Sequence, residues 1–253
     1  MRSLIRVAGA AVRGRSHIRD GKPCQDKYFV WRGKDKKYAG IALSDGAGSS
    51  SYSQIGAEYT VKKVIPFVKE NFDLYHRSPL NAGREIAEYL SKGLSEVAVA
   101  NGLKLNDLAC TLLFVVIRRR KNSVHYLAGH IGDGTIVYGR DSKDVKVLSE
   151  PERGEYANTT IFLTSSESKS RIRIYSGTLK RPIAFMLMSD GAADTLYIKR
   201  TRNPNQVYCR QIFNWCKKYC KKKIALILQW NLASGVFREV SSDDCSLCVL
   251  KVT

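Results

Sequence analysis

The chain has 253 residues, 44% of them hydrophobic and 26% charged, an ordinary globular composition that excludes fibrous, collagen-like and wholly disordered proteins. No apolar run approaches the ~18–20 residues of a membrane span, and Arg6 and Arg13 interrupt the apolar stretch that a secretory leader needs. Charge is the unusual feature: 42 Lys and Arg against 23 Asp and Glu give a formal net charge of +19.

Strand patterns open the chain at Ile5–Val12, Lys27–Arg32 and Tyr38–Ser44, the last two joined by the turn sequence GKDKK. After Asp45 comes a small-residue loop, GAGSSSYS. Amphipathic helices are predicted over Gln54–Asn71 and Leu80–Ala100. Ile55, Tyr59, Val61, Ile65 and Val68 form the apolar stripe of the first, which Pro66 is expected to bend or shorten. Cys110–Ile117 is a continuous apolar run, followed by the charged turn RRRKN and a strand at Val124–His130. Thr135–Tyr138 and Val145–Leu148 continue a meander, Arg171–Tyr175 alternates, and Ala184–Met188 reads as a strand buried on both faces. Helical periodicity returns over Gln206–Tyr219 and Ile224–Val236, and Ser246–Val252 is the last strand. No linker, low-complexity tract or repeat divides this order. Residues 1–253 therefore read as a single α+β domain, a central antiparallel β-sandwich flanked by helices.

Seven cysteines, an odd number without framework spacing, point to reduced thiols and a cytoplasmic protein. Cys245 and Cys248 form a C-x-x-C, but on a strand such positions face opposite sides. Cys216 and Cys220 share a helical face and read as small apolar core residues. The basic excess is concentrated between Asp194 and Glu239, where no acidic residue occurs. Such a surface attracts polyanions or acidic partner segments.

One local sentence occurs twice. IALSDGAG (Ile41 to Gly48) and LMSDGAAD (Leu187 to Asp194) each run a buried strand into Ser-Asp-Gly-Ala. An Asp at a strand end, followed by Gly, turns its carboxylate into a cleft while the chain swings away. Asp243–Asp244 precedes the last strand, and further acids stand at Asp26 and Asp133. A lone Asp-Gly is ordinarily a turn. Gathered carboxylates repel and are costly to desolvate, so a divalent cation is the natural resolution. An all-oxygen donor set favours Mg²⁺ or Mn²⁺, and no His or Cys stands at zinc spacing.

The ordered series GRSHIRDGKPCQD, ALSDGAG, ACTLLFVVI, GHIGDGTI, FMLMSDGAAD and SSDDCSLCVL resembles the metal-dependent Ser/Thr protein phosphatases (the PPM, or type-2C, family). It is most similar to a small bacterial branch that carries S-H-x-x-x-G-x-P-C-Q-D and E-Y-A-N-x-T, here Glu155 to Thr160. The resemblance spans Gly14 to Leu250 and implies a β-sandwich with two Mn²⁺ or Mg²⁺ ions at one end and a third, weaker ion. It implies Asp45 as the bridging ligand with the Gly46 carbonyl beside it, and Asp190 and Asp243 as ligands of the other ion. Asp26 falls in the outer shell, Asp133 matches the acid for the third metal, and Thr111 is a nearby hydroxyl. Phosphomonoester hydrolysis by metal-activated water follows, with no covalent intermediate. No C-x₅-R loop supports a cysteine phosphatase.

Three departures stand out. Ala47 occupies the place where many eukaryotic relatives have His. The phosphate-binding segment is rebuilt, leaving Arg13, Arg15, Arg19 and His17 as candidates, with His17 and Arg15 preferred, although His17 serves equally as a structural histidine. Asp244 stands where Asn is frequent, so Asp243 and Asp244 can exchange roles. His76, His125 and His130 read as structural. Ile161 to Ser170, with its TSSES run, is positioned to form a flap over the site. Expected partners are phosphorylated proteins, a cognate Ser/Thr kinase and a von Willebrand A-type protein. Neither a membrane nor, as main partner, nucleic acid is expected. The competing class is a basic nucleic-acid- or partner-binding protein on the same fold, supported by Tyr208, Trp215 and Tyr219 among Lys and Arg.

Overall fold

The computed structural model describes residues 4–140, 144–152 and 160–253. Its elements begin with β1 (Ile5–Val12), α1 (Arg15–Arg19), β2 (Lys27–Arg32), β3 (Tyr38–Ser44), α2 (Ser53–Glu70), α3 (Phe72–Arg77) and α4 (Ala82–Ala100). They continue with β4 (Leu112–Arg119), β5 (Ser123–Ile131), β6 (Thr135–Gly139), β7 (Lys146–Ser149), α5 (Ser168–Arg171), β8 (Arg173–Lys180) and β9 (Ile183–Met188). The last third holds α6 (Asp190–Leu196), the short hairpin β10 (Tyr197–Ile198) and β11 (Asn203–Pro204), α7 (Gln206–Lys218), α8 (Lys221–Ala233), α9 (Gly235–Val240) and β12 (Cys245–Val252).

Two five-stranded sheets, ordered β1-β12-β9-β6-β7 and β2-β3-β4-β5-β8, pack face to face, with antiparallel neighbours throughout. Period-two alternation decides what each face touches. On β3 and β4, Ala39, Ile41, Leu43, Leu113, Val115 and Ile117 point between the sheets. The alternate residues Ala42, Leu112, Phe114 and Val116 meet α2 and α4. On β9, Phe185 and Leu187 face the sandwich, while Ala184, Met186 and Met188 meet α7 and α8. Each sheet is covered on one face by the other sheet and on the other by helices, which is why these strands read as unbroken apolar runs. Cys245 accordingly lies among the helix-facing residues and Cys248 inside the sandwich.

Pro66 does not interrupt α2, which runs unbroken from Ser53 to Glu70. The proline sits on the exposed face, whereas Val61, Val64, Ile65 and Val68 are buried. Burying those four side chains, at ~1.5–3 kcal/mol each, outweighs the ~3 kcal/mol of an internal proline. Gly235, with φ +55, ends the expected Ile224–Val236 helix early and starts α9. Cys220 departs from its expected core position: it caps α8 and is exposed, while Cys216 is buried. The expected flap is anchored, with Ile161 and Leu163 in the core against α4 and the Leu163 N–H donating to the Cys110 carbonyl. Among the described residues no helix is long and apolar enough to cross a membrane.

Register brings the candidate carboxylates to one end of the sandwich. Val12 pairs with Cys245, Lys27 with Ser44, and Met188 with both Thr135 and Leu247. Asp26, Asp45, Asp133, Asp190 and Asp243 each lie one or two residues beyond those pairs.

Candidate active site

Backbone contacts fix the first Ser-Asp-Gly corner. The Asp45 N–H donates to Thr111 Oγ1 (2.9 Å), the Asp45 carbonyl accepts from the Thr111 N–H (2.8 Å), and Ser44 Oγ donates to the Thr111 carbonyl (2.5 Å). Gly46 then forms an isolated antiparallel bridge with Cys110. The second corner begins a helix. Ser189 caps α6, its Oγ accepts from the Ser246 N–H (2.9 Å), and Asp190 Oδ1 accepts from the Gly191 N–H (2.6 Å). Gly191 is required by close approach, because a Cβ there would stand 2.3 Å from the Asp244 carbonyl oxygen.

Asp26 is 1% exposed, and neither of its carboxylate oxygens has a hydrogen-bond partner. Its carboxyl is pushed up to about 7, by burial first and by the charge of Asp244, with contacts to Asp45 and Ser246 partly offsetting. Burial also raises Asp45 well above the usual carboxylate range, reinforced by the charges of Asp26, Asp190 and Asp133. Asp190 rises to about 6 through burial, then Asp133 and Asp243, against the pull of Asp45 and the Gly191 N–H. These six acids therefore share one electrostatic neighbourhood. Among the described residues no Lys or Arg forms an ion pair with Asp26, Asp45, Asp133 or Asp190. Asp133 Oδ2 instead accepts from Thr160 Oγ1 at 2.6 Å.

The two adjacent acids have separate occupations. Asp244 is buried: Oδ1 accepts from the Gly14 N–H (2.7 Å) and Oδ2 from the Gln25 N–H (2.6 Å), stapling the loop before Asp26 to the last strand. His17 Nδ1 stands 3.0 Å from the same Oδ2. Asp243, with 54% of its side chain exposed, faces the cleft, and its Oδ1 lies 3.9 Å from His17 Nε2. One potential ligand atom each from His17, Asp243 and Asp244 fall within 4.8 Å of one another. His17 is buried. Arg15 is exposed and lines a narrow crevice with Arg13, Arg238 and Asp243.

The sequence reading missed the Asp244 staple, the short helices α1 and α6, and the neighbouring clamps. Lys22 Nζ donates to the Gly48 carbonyl (2.8 Å) and Gln25 Nε2 to the Ser50 carbonyl (3.1 Å), tying the two loops beside the cleft. His130 is buried and held well below its ordinary pKa by burial and Arg173, so it is a neutral structural group. His76 and His125 stack on each other at 4.7 Å. Trp215 packs against the helix-side core, and Lys223 lies over the Tyr219 ring. Of the Glu155 to Thr160 motif only Thr160 lies within the described residues.

Residues 13–229 match the family model described as Protein phosphatase 2C, a span that includes Asp26, Asp45, Asp133 and Asp190. Serine/threonine-protein phosphatase 3 of Escherichia coli (strain K12) is 25% identical, over 96% of this chain and 97% of the relative. The fold is shared with the catalytic domain of the serine threonine protein phosphatase PstP in complex with two manganese ions (TM-score 0.61, 17% identity, 99% of each chain). It is also shared with the S. agalactiae serine/threonine phosphatase (TM-score 0.65, 14% identity, 98% of this chain and 99% of that one). RsbX in complex with magnesium aligns at TM-score 0.55 with 14% identity, over 98% of this chain and 96% of that one. The chain belongs to the protein phosphatase 2C family.

Proposed function

We propose that the chain is a protein serine/threonine phosphatase with a dinuclear Mn²⁺ or Mg²⁺ centre held by Asp45, the Gly46 carbonyl, Asp190 and Asp243. Asp26 lies behind these ligands and Asp133 holds a third, weaker ion. Residues 1–253 form one catalytic domain, because the cluster draws on both sheets from Asp26 to Asp243. The observation that carries the proposal is a group of mutually repelling carboxylates gathered around the buried Asp26, with both Asp26 oxygens unpartnered and, among the described residues, no Lys or Arg paired to Asp26, Asp45, Asp133 or Asp190. That donor set fits hard divalent cations.

When bound, the cations supply charge to the phosphoryl oxygens and acidify water for in-line attack. The protein's own groups do the positioning. Thr111 and Ser44 fix the backbone on either side of Asp45, and the Gly191 N–H orients Asp190. Asp244 holds the loop that delivers Asp26 through the Gln25 N–H. Arg15, which lines a crevice with Asp243, would take two phosphate oxygens bidentately, whereas His17 lies against Asp244. Substrates are phosphoserine and phosphothreonine proteins, which makes a Ser/Thr kinase the counterpart. A von Willebrand A-type partner rests on the family resemblance.

Hydrolysis of p-nitrophenyl phosphate with Mn²⁺, Mg²⁺ or EDTA, in wild type and Asp190→Asn, tests this function. Metal-dependent turnover lost in EDTA and lowered on the order of 10²-fold in the variant is expected. No turnover with any metal in folded protein rejects it.

A further inference from the structure

α7 and α8 form a helical hairpin joined at Tyr219 and Cys220, and a cavity of about 260 Å³ opens between them and α9. Helical spacing builds its wall, since Tyr208, Gln211 and Trp215 recur on one face of α7. Trp230 on α8 and Val236 on α9 also line it, and they are 71% and 43% exposed. A tryptophan this open forgoes hydrophobic free energy that burial against a partner would recover.

Charge marks both ends of this groove. Lys217, Lys218, Lys221, Lys222 and Lys223 are exposed at the hairpin turn, and none makes an ion pair among the described residues. Lys218 lies one helical turn beyond Trp215, and Lys223 two turns before Trp230, so the apolar wall runs out into exposed lysines, Lys223 lying over the Tyr219 ring. At the other end α9 carries Arg238, which lines the crevice beside Asp243 with Arg15. The groove therefore connects a basic turn to the rim of the carboxylate cluster. Its carbon-rich lining suits an apolar side chain better than a sugar-phosphate chain, and the unpaired lysines complement carboxylates.

We infer that the α7–α8–α9 groove docks an acidic segment of a protein partner, seating one apolar side chain between Trp215 and Trp230 and its carboxylates on the hairpin lysines. The segment's extension past Arg238 carries a phosphorylated residue toward Asp243. That delivery rests on the phosphatase proposal; the docking itself does not.

Fluorescence anisotropy tests it with a labelled Asp/Glu-rich peptide containing one central phenylalanine. The controls are the same peptide with alanine at that place and a single-stranded oligonucleotide of matched charge. The phenylalanine peptide is expected to bind, and to weaken at least about tenfold in Trp230→Ala and in the double variant Lys222→Glu/Lys223→Glu. Thermal unfolding establishes that the variants remain folded; both alter exposed side chains. Absence of binding, full affinity in folded Trp230→Ala, or equal affinity for the alanine peptide or the oligonucleotide overturns the inference. Turnover of p-nitrophenyl phosphate by the same wild-type sample reports separately on the catalytic proposal, so either can fail alone.

Discussion

Ser44-Asp45-Gly46-Ala47 and Ser189-Asp190-Gly191-Ala192 are the same four residues at the ends of strands in different sheets, and the chain leaves them in different ways. At the first, Ser44 Oγ donates to Thr111 and the backbone continues extended into the Gly46–Cys110 bridge. At the second, Ser189 Oγ accepts from Ser246 and the chain turns at once into α6. The shared sequence sets what is common, a carboxylate at a strand end with a glycine that permits a turn. The strand next door sets the rest. Asp45 consequently senses Asp26, Asp190 and Asp133, whereas Asp190 keeps one oxygen on a helix N-terminal N–H.

The difference predicts an order of catalytic loss. Asp45→Asn should reduce metal-dependent phosphatase activity on the order of 10³-fold and Asp190→Asn on the order of 10²-fold, as kcat/KM on p-nitrophenyl phosphate reports. A larger loss at Asp190 would break the ranking of the two corners. Stability effects follow. Gly191→Ala drives a Cβ into the Asp244 carbonyl and should cost about 1–3 kcal/mol by denaturant unfolding. Asp244→Ala orphans the Gly14 and Gln25 N–H groups and should cost about 2–4 kcal/mol, while its neighbour Asp243→Asn lowers Mn²⁺ affinity with little change in unfolding. Equal behaviour of the two variants would erase the division of labour between those acids.

A smaller effect is read from pH. In metal-free protein the Asp26 carboxyl is pushed up to about 7 and that of Asp190 to about 6. Between roughly pH 4 and 7 the native state thus holds protons that the unfolded chain has released, so stability falls as pH rises. Mn²⁺ binds the deprotonated cluster and offsets that fall. The Tm of EDTA-treated protein should drop across this window while the Mn²⁺-induced rise in Tm grows; a pH-independent rise would count against the cluster. Smallest is Thr111→Val, which removes the Oγ1 acceptor of the Asp45 N–H and should cost about 1 kcal/mol.

Much of this architecture is legible in the sequence because both faces of the central strands are buried. Tyr38–Ser44 and Ile5–Val12 are found with the bounds the pattern gives, since turns or loops of charged and small residues delimit them. The strand expected at Arg171–Tyr175 begins two residues later, because Ser168–Arg171 closes into α5. α6 escaped because Asp-Gly-Ala-Ala after a strand also reads as a turn. Whether the chain coils there depends on Ser246 and Asp244, more than fifty residues away. Asp243 and Asp244 could not be told apart by composition either. Both precede β12, and only the packing of the Gly14–Gln25 loop shows which carboxylate is consumed as a staple. Pro66 misled for the same reason, since its cost was legible and the burial beneath it was not.

The most direct test of the central claim is the number of Mn²⁺ ions held per chain, counted by equilibrium dialysis and metal analysis at neutral pH. The account predicts about two tightly held ions in wild type and at most one in Asp45→Asn, the residue shared by both. No tightly held Mn²⁺ in folded wild-type protein, or an undiminished count in Asp45→Asn, would contradict it.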